Sequence, residues 1–349
     1  MYCVEITQNA LYRGHRTVSS QNAVIFGCEG LRLSGAEKSF FGDAKPWGFI
    51  LFARNLDTPD QIRALCAELR ECVGRDAPIL IDQEGGRVQR LRAPQWREWL
   101  PPLDQMAAIA NPADQRRAMA LRYRLIAHEL RDLGIDVNCA PMLDVPTPDA
   151  HYIIMNRCYG DNPDIVAEMG RAVSEGLLAG GVLPIIKHIP GHGRANLDSH
   201  HDLPHVDASA DDLRNIDFKP FRHLSDLPMA MTAHIVYTTM DAQNCATLSP
   251  VMIDAIRNDI GFDGLLMSDD LSMKALTGTF AQRTVGAINA GCDVILHCNG
   301  QRDEMDQIMT QVPVLSGKPL ARANAALAMR HAPEPFDLAM AEESFSALL

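Results

Sequence analysis

Eight short apolar runs recur along the chain, and segments with helical periodicity separate most of them. The runs cover residues 23–27, 48–53, 78–81, 136–140, 182–186, 229–232, 264–267 and 293–296. Near-continuous apolar strands that alternate with helices predict a parallel sheet covered on both faces. Eight such units can close on themselves, and 349 residues accommodate that arrangement with long loops. The pattern therefore predicts an α/β protein with a (β/α)8 TIM-type barrel.

Helix start and stop signals fit this pattern. A helix is predicted from Thr58-Pro59 to Val73, before Gly74, and four more precede glycines at 112–133, 164–179, 250–260 and 281–290. A doubly wound open sheet is the alternative fold, but the chain after the first run lacks the GxGxxG spacing. No low-complexity linker is present, so we expect a single domain over residues 1–349. Its tail, 319–349, is expected to form a helix at 320–330 and then an irregular segment, both packed on the barrel.

Charge and cysteine content exclude several functional classes. The net charge is −12, from 32 basic and 44 acidic residues, and no Lys/Arg run offers a surface for nucleic acid. The nine cysteines are scattered without a CxxC pair, which is typical of a reducing compartment. We find neither a signal-peptide pattern nor an apolar run of about 20 residues. We expect a cytoplasmic protein, without a membrane partner, that is monomeric.

Polar clusters follow several of the predicted strands, where the carboxyl ends of barrel strands place catalytic residues. The clusters are 82–90, Asp144 with 156–160, 187–188, His234 and 268–270. The charged donors and acceptors among them suit a ligand rich in hydroxyls, such as a sugar; they are Asp82, Arg90, Arg157, Lys187 and His188. An alternative for Arg87 and Arg90 is an ion pair with Glu84 or Glu98. Glu84 itself is either an acid or a group that orients an arginine.

Asp269 directly follows the seventh apolar run. A carboxylate at the tip of a buried strand is rigidly held and can act as a nucleophile or stabilise a cation. Its neighbour Asp270 would face the other way in an extended chain. The sequence leaves open which of the two faces the ligand.

The segment 188–205 contains five histidines and has three interpretations. It could hold a metal, but no HExxH or Cys/His spacing typical of zinc is present, so we predict no metal site. It could contain an Asp198–His200 dyad, in which the carboxylate orients an imidazole that donates and accepts a proton. It could also be a solvated loop. The sequence assigns no role to His192, His201 or His205.

Together these motifs resemble glycoside hydrolase family 3, in particular its single-domain bacterial β-N-acetylglucosaminidases of cell-wall recycling. The matching segments are 82–90 (DQEGGRVQR), 187–193 (KHIPGHG), 198–200 (DSH) and 268–273 (SDDLSM), with weaker matches at 157–160 and 246–249. The family usually has DRSF where this chain has NRCY at 156–159, and Phe in place of Ile189.

The resemblance implies a retaining hydrolase that releases N-acetylglucosamine from muropeptide fragments without a cofactor. It implies that Asp269 is the nucleophile and that His200, assisted by Asp198, is the general acid/base. The implied sugar-binding residues are Asp82, Arg90, Arg157, Lys187 and His188. Three alternatives stay open: a phosphorylase on the same scaffold, because a neutral base repels phosphate less than a carboxylate would; a metal-dependent barrel hydrolase; and a sugar-binding barrel without catalysis.

Overall fold

Eight parallel strands form a closed barrel in the part of the chain that the structure describes. This structure is a computed structural model and describes residues 20–148, 150, 152–195 and 203–349. The strands are β1 (Asn22–Gly27), β2 (Pro46–Leu51), β3 (Ile79–Ile81), β4 (Val137–Asn138), β5 (Leu183–Ile189), β6 (Met229–Thr232), β7 (Leu265–Asp270) and β8 (Val294–His297). They pair in chain order, and β8 pairs with β1. The predicted barrel and all eight predicted strands are confirmed.

The strands are apolar almost throughout because both of their faces are buried. One buried cluster gathers alternate residues of all eight strands, such as Ile25, Leu80 and Met267. The residues on either side of Ile25, Val24 and Phe26, belong to a second cluster that includes the helices. Successive strand side chains point to opposite sides. Each strand therefore contributes to a core inside the barrel and to a core beneath the helices.

Thirteen α-helices surround or extend the barrel within the described residues. They are α1 (Gly35–Ala44), α2 (Pro59–Val73), α3 (Pro102–Ala108), α4 (Pro112–Asp132), α5 (Tyr152–Met155), α6 (Pro163–Ala179), α7 (Ala210–Asp212), α8 (Phe218–His223), α9 (Pro250–Asn258), α10 (Phe280–Ala290), α11 (Arg302–Met309), α12 (Gly317–Ala328) and α13 (Leu338–Ser346). Helix α2 illustrates why the boundaries were predictable. The Thr58 side chain accepts a hydrogen bond from the N–H of Gln61, and Gly74 ends the helix at a φ of 63°.

The C-terminal tail differs from the prediction of an irregular segment, because a second helix, α13, follows α12. Asp337 caps its first turn, and Phe345 packs edge-on against Trp99 with ring centroids 5.5 Å apart. Arg97 and Glu342 form an ion pair of 2.8 Å beside this contact. Packing against the barrel domain therefore supports a helix that local periodicity did not reveal. None of the described helices combines the length and apolar character needed to cross a membrane.

Candidate active site

A cavity of about 480 Å³ opens where the carboxyl ends of the strands meet. Its lining includes six of the eight residues predicted to act in catalysis or binding, namely Asp82, Arg90, Arg157, Lys187, His188 and Asp269. The other two, Asp198 and His200, lie outside the described residues. The volume is within the usual range of small-molecule sites, roughly 300–1,000 Å³.

A tight hairpin follows β3 and fixes one side of this cavity. Its two short strands, Gln83–Gly85 and Val88–Gln89, are antiparallel, and the turn contains Gly86 with a φ of 58°. The side-chain oxygen of Gln83 accepts hydrogen bonds from the backbone N–H of Arg90 and of Leu91. Glycine is needed in the turn because a Cβ at Gly86 would overlap Pro101. The hairpin thus holds its side chains at defined positions along the cavity.

Buried ion pairs connect the hairpin to strand β5. The ammonium of Lys187 lies 2.8 Å from Asp82 and 2.6 Å from Glu84, and Arg90 lies 3.0 Å from Asp82. Arg157 donates two hydrogen bonds to Glu84, at 2.9 and 2.8 Å. Both carboxylates are charged: burial alone would raise their pKa values, but the neighbouring cations lower that of Glu84 to about 2 and hold that of Asp82 still lower.

The arginine ion pairs considered from the sequence are not the ones that form. Arg90 forms an ion pair with Asp82 rather than with Glu84 or Glu98. Glu98 instead forms an ion pair with Arg92. Glu84 does orient an arginine, but that arginine is Arg157, 73 residues away. The interpretation failed because it considered only partners that are close in the sequence.

Asp144, noted in the sequence only as a polar residue near the end of β4, forms a second buried pair. Its carboxylate lies 2.7 Å from Nδ1 of His188 and accepts the backbone N–H of His192 at 2.6 Å. Burial would raise the pKa of Asp144, but the contact with His188 brings it to about 2. Because a carboxylate only accepts, Nδ1 of His188 carries a proton. This carboxylate therefore fixes the orientation of an imidazole that lines the cavity.

Two adjacent carboxylates, Asp269 and Asp270, end strand β7. The carboxylate of Asp270 accepts the N–H and the hydroxyl of Ser272, at 2.9 and 2.5 Å, and the N–H of Cys298 at 3.1 Å. Asp270 is thereby committed to holding the loops after β7 and β8. Both carboxylates line the cavity, and Oδ1 of Asp269 accepts the N–H of Asp270 at 2.8 Å. The predicted nucleophile, Asp269, thus lies in the cavity lining beside Asp270, whose carboxylate holds the two loops.

The chain that leads into the histidine-rich segment is tightly packed. The hydroxyl of Tyr237 donates to the carbonyl of Gly191 at 2.5 Å, and Arg194 donates to Asp217 at 2.7 Å. A Cβ at Gly193 would overlap the backbone of Val145. After the segment, His205–Val206 pairs with Val236–Tyr237. The described chain on both sides of residues 196–202 is therefore anchored to the barrel.

His192 provides a prediction for the pH dependence of stability. Burial lowers its pKa to about 4, whereas an unfolded histidine titrates near 6.5. Between pH 6.5 and pH 4 the unfolded chain binds more protons than the folded protein. The free energy of unfolding is therefore highest above pH 6.5 and falls by about 3 kcal/mol as the pH falls to 4. We expect the free energy of unfolding of the wild type, relative to His192→Asn, to fall by that amount in urea titrations between pH 7 and 4. If the difference in the free energy of unfolding between the wild type and His192→Asn did not change with pH, the lowered pKa of His192 would be contradicted.

Within the described part of the chain, no cluster of three or more His, Cys, Asp or Glu side chains could hold a metal ion. His200 and His201 lie outside that part.

Comparison with known proteins identifies the family. The model of the glycosyl hydrolase family 3 N-terminal domain matches residues 30–329. The chain is 34% identical to a β-hexosaminidase of Chromobacterium violaceum, over 93% of this chain and 91% of that protein. It is 38% identical to a β-hexosaminidase of Methylococcus capsulatus, over 79% and 82%.

Solved structures agree with the sequence comparisons. Native NagZ from Neisseria gonorrhoeae has a TM-score of 0.81 and 31% identity, covering 94% of this chain and 96% of that one. The same enzyme in complex with N-trifluoroacetyl-D-glucosamine has a TM-score of 0.83 and 30% identity, covering 94% and 98%. The family match over most of the chain, together with the barrel and its cavity, shows that this protein belongs to glycosyl hydrolase family 3.

Proposed function

We propose that this protein is a retaining β-N-acetylhexosaminidase that releases terminal, non-reducing N-acetylglucosamine. The observation that carries the proposal is the cavity at the strand ends, where the carboxylate of Asp269 shares one lining with charged hydrogen-bonding groups. Relatives of nearly the same length are named β-hexosaminidases, and one similar structure contains a glucosamine derivative. A small carbohydrate is the ligand class that both lines of argument support.

The buried ion pairs suit recognition of sugar hydroxyls. Asp82 and Lys187 compensate each other and Glu84 compensates Arg157, so these charged groups offer directed donors and acceptors. We propose that these three, with Arg90 and His188, bind the N-acetylglucosamine ring. His188 contributes its second ring nitrogen, because Asp144 engages the first.

The proposed chemistry is a double displacement. Asp269 attacks the anomeric carbon while His200 donates a proton to the departing oxygen, which breaks the glycosidic bond and forms a glycosyl ester. His200, now neutral, then accepts a proton from water as the water attacks the same carbon and releases the carboxylate. Asp198 orients His200 and stabilises its charged form.

The substrate and setting are proposed in finer detail. We expect muropeptide fragments in the cytoplasm, with N-acetylglucosamine linked β-1,4 to an anhydro-muramyl sugar. We also expect the chain to act as a monomer, as one barrel domain over residues 1–349, without a cofactor and without nucleic-acid or membrane partners.

Replacing His200 by alanine tests the acid/base assignment. We expect turnover of an alkyl β-N-acetylglucosaminide to fall about 10²–10⁴-fold, the usual contribution of a positioned acid/base group. The loss in the first step should be smaller for a 2,4-dinitrophenyl glycoside, because that leaving group needs no proton. Added azide, which attacks without a base, should restore turnover of the dinitrophenyl substrate. An equal loss on both substrates without azide rescue would count against His200.

An assay of the wild type separates the hydrolase from the phosphorylase, the metal-dependent hydrolase and the sugar-binding protein. Release of p-nitrophenol from its β-N-acetylglucosaminide should not require phosphate and should survive a chelator. Dependence on phosphate would identify a phosphorylase, and loss with a chelator would identify a metal-dependent hydrolase. No turnover by the wild type would favour a sugar-binding protein.

A further inference from the structure

Arg87 lines the cavity but takes no part in its ion pairs. It sits at the turn of the hairpin after β3, and its side chain is exposed. The other lysine and arginine side chains in the lining each face a carboxylate. The guanidinium of Arg87 makes no ion pair or hydrogen bond with any residue that the structure describes. Arg87 is therefore a cation in the cavity lining that is available to bind a ligand.

The backbone that carries Arg87 is firmly held. The N–H of Gly86 donates to the carbonyl of Trp99 at 2.8 Å, and the buried guanidinium of Arg122 donates to the carbonyl of Glu84 at 2.6 Å. Arg92 donates to the carbonyl of Gly86 at 2.8 Å. An anchored turn with a free side chain lowers the ordering cost of binding, because only the side chain must be fixed.

Exposure places Arg87 at the mouth of the cavity rather than at its floor. Lys187 is 2% exposed and His188 7%, whereas Arg87 is exposed. A terminal sugar that enters such a cavity occupies the buried end, so the rest of the substrate lies toward the mouth. The part of the substrate nearest Arg87 is therefore expected to belong to the leaving group.

We infer that Arg87 binds a carboxylate on the leaving-group side of the substrate. This inference rests on the proposed function and deepens it by naming the residue that recognises the acidic group of the aglycone. A planar guanidinium binds a carboxylate through two parallel hydrogen bonds. With a net charge of −12, the protein as a whole repels anions, so an acidic substrate needs a local cation. In a muramyl aglycone the carboxylate is that of the lactyl ether or of an attached peptide.

Three disaccharides test the inference. Each has N-acetylglucosamine β-1,4-linked to an anhydro-muramyl sugar that carries a free lactyl carboxylate, a lactyl amide, or a lactyl group joined to alanine with a free carboxylate. The ratio of kcat/KM for each acid to that for the amide is measured in wild type, Arg87→Gln and Arg87→Lys. Arg116→Gln is the matched control, because Arg116 pairs with Glu175 between α4 and α6 and does not line the cavity.

We expect the wild type to prefer one of the acids by about 10-fold, as for a charge-assisted hydrogen bond at a partly exposed site. Arg87→Gln should reduce that preference to within about 2-fold, Arg87→Lys should keep part of it, and Arg116→Gln should keep it whole. The preference should also weaken with added salt. Whether the lactyl or the alanyl acid is preferred identifies the source of the carboxylate.

Two results would overturn the inference while leaving the proposed function intact. One is a wild type that turns over all three disaccharides equally, and the other is an Arg87→Gln variant with an unchanged preference. A wild type that cleaves none of them overturns the proposed function itself. Arg87 is then tested directly by calorimetric binding of the acid and of the amide to Asp269→Asn, with and without Arg87→Gln. If each of these two proteins binds the acid and the amide with equal affinity, the inference is overturned as well.

Discussion

Replacing Asp269 by alanine is expected to lower kcat at least about 10⁴-fold, because the covalent intermediate can no longer form. The protein should remain folded, since the backbone around position 269 is held by strand pairing of β7 with β6 and β8. The measurement is turnover of p-nitrophenyl β-N-acetylglucosaminide, with thermal unfolding as the check on folding.

Asp270→Asn is the matched control for this prediction. Its amide oxygen can still accept hydrogen bonds from Ser272 and Cys298, so the loss of activity should be much smaller. A fluorinated N-acetylglucosamine analogue that slows the second step should label Asp269. A label on a peptide that lacks Asp269 would falsify the assignment of the nucleophile.

Replacing Glu84 by glutamine is expected to destabilise the fold by about 3–5 kcal/mol, the usual cost of removing one partner from a buried ion pair. Arg157 would keep its charge in a buried position without the carboxylate that now accepts two of its hydrogen bonds. Because Arg157 also lines the cavity, KM should rise. Urea unfolding and steady-state kinetics measure the two effects.

The surface pair of Arg92 with Glu98 supplies the comparison. Its side chains are 43% and 50% exposed, so Glu98→Gln should change the free energy of unfolding by less than about 1 kcal/mol. If Glu84→Gln were no more costly than Glu98→Gln, the buried network would not contribute to stability as its geometry indicates.

The barrel could be predicted because its strands carry a strong signal. Strands buried on both faces are apolar at every position, and each run in this chain is bounded by turn residues or polar clusters. Strand β5 shows the limit of that signal: its apolar run ends at Ile186, but the strand continues through Lys187 and His188 to Ile189. Lys187 and His188 are tolerated inside this strand because each lies against a buried carboxylate, Glu84 and Asp144 respectively.

Those partners could not be predicted from local patterns. Asp144 and His188 are 44 residues apart, and Glu84 and Arg157 are 73 apart. Their contacts follow from the order of the strands around the barrel, which places the ends of β3, β4 and β5 side by side. A signal did exist, since polar residues at the ends of adjacent strands should meet, but choosing the pairs requires the three-dimensional register.

The tail shows a different limit. The sequence predicted an irregular segment after residue 330, whereas the helix Leu338–Ser346 depends on contacts such as that of Phe345 with Trp99. The proposed dyad of Asp198 with His200 lies outside the described residues, so the roles of both residues stay predictions from sequence.

The chain of ion pairs through Asp82, Lys187, Glu84 and Arg157 also constrains how this protein can evolve. Each carboxylate pairs with two cations, and loss of Glu84 leaves the buried charge of Arg157 without its carboxylate while Lys187 keeps Asp82. Routes to a new sugar specificity should therefore pass through paired changes at these positions. A library that randomises Glu84 and Arg157 together is expected to yield more folded variants than two libraries that randomise them separately.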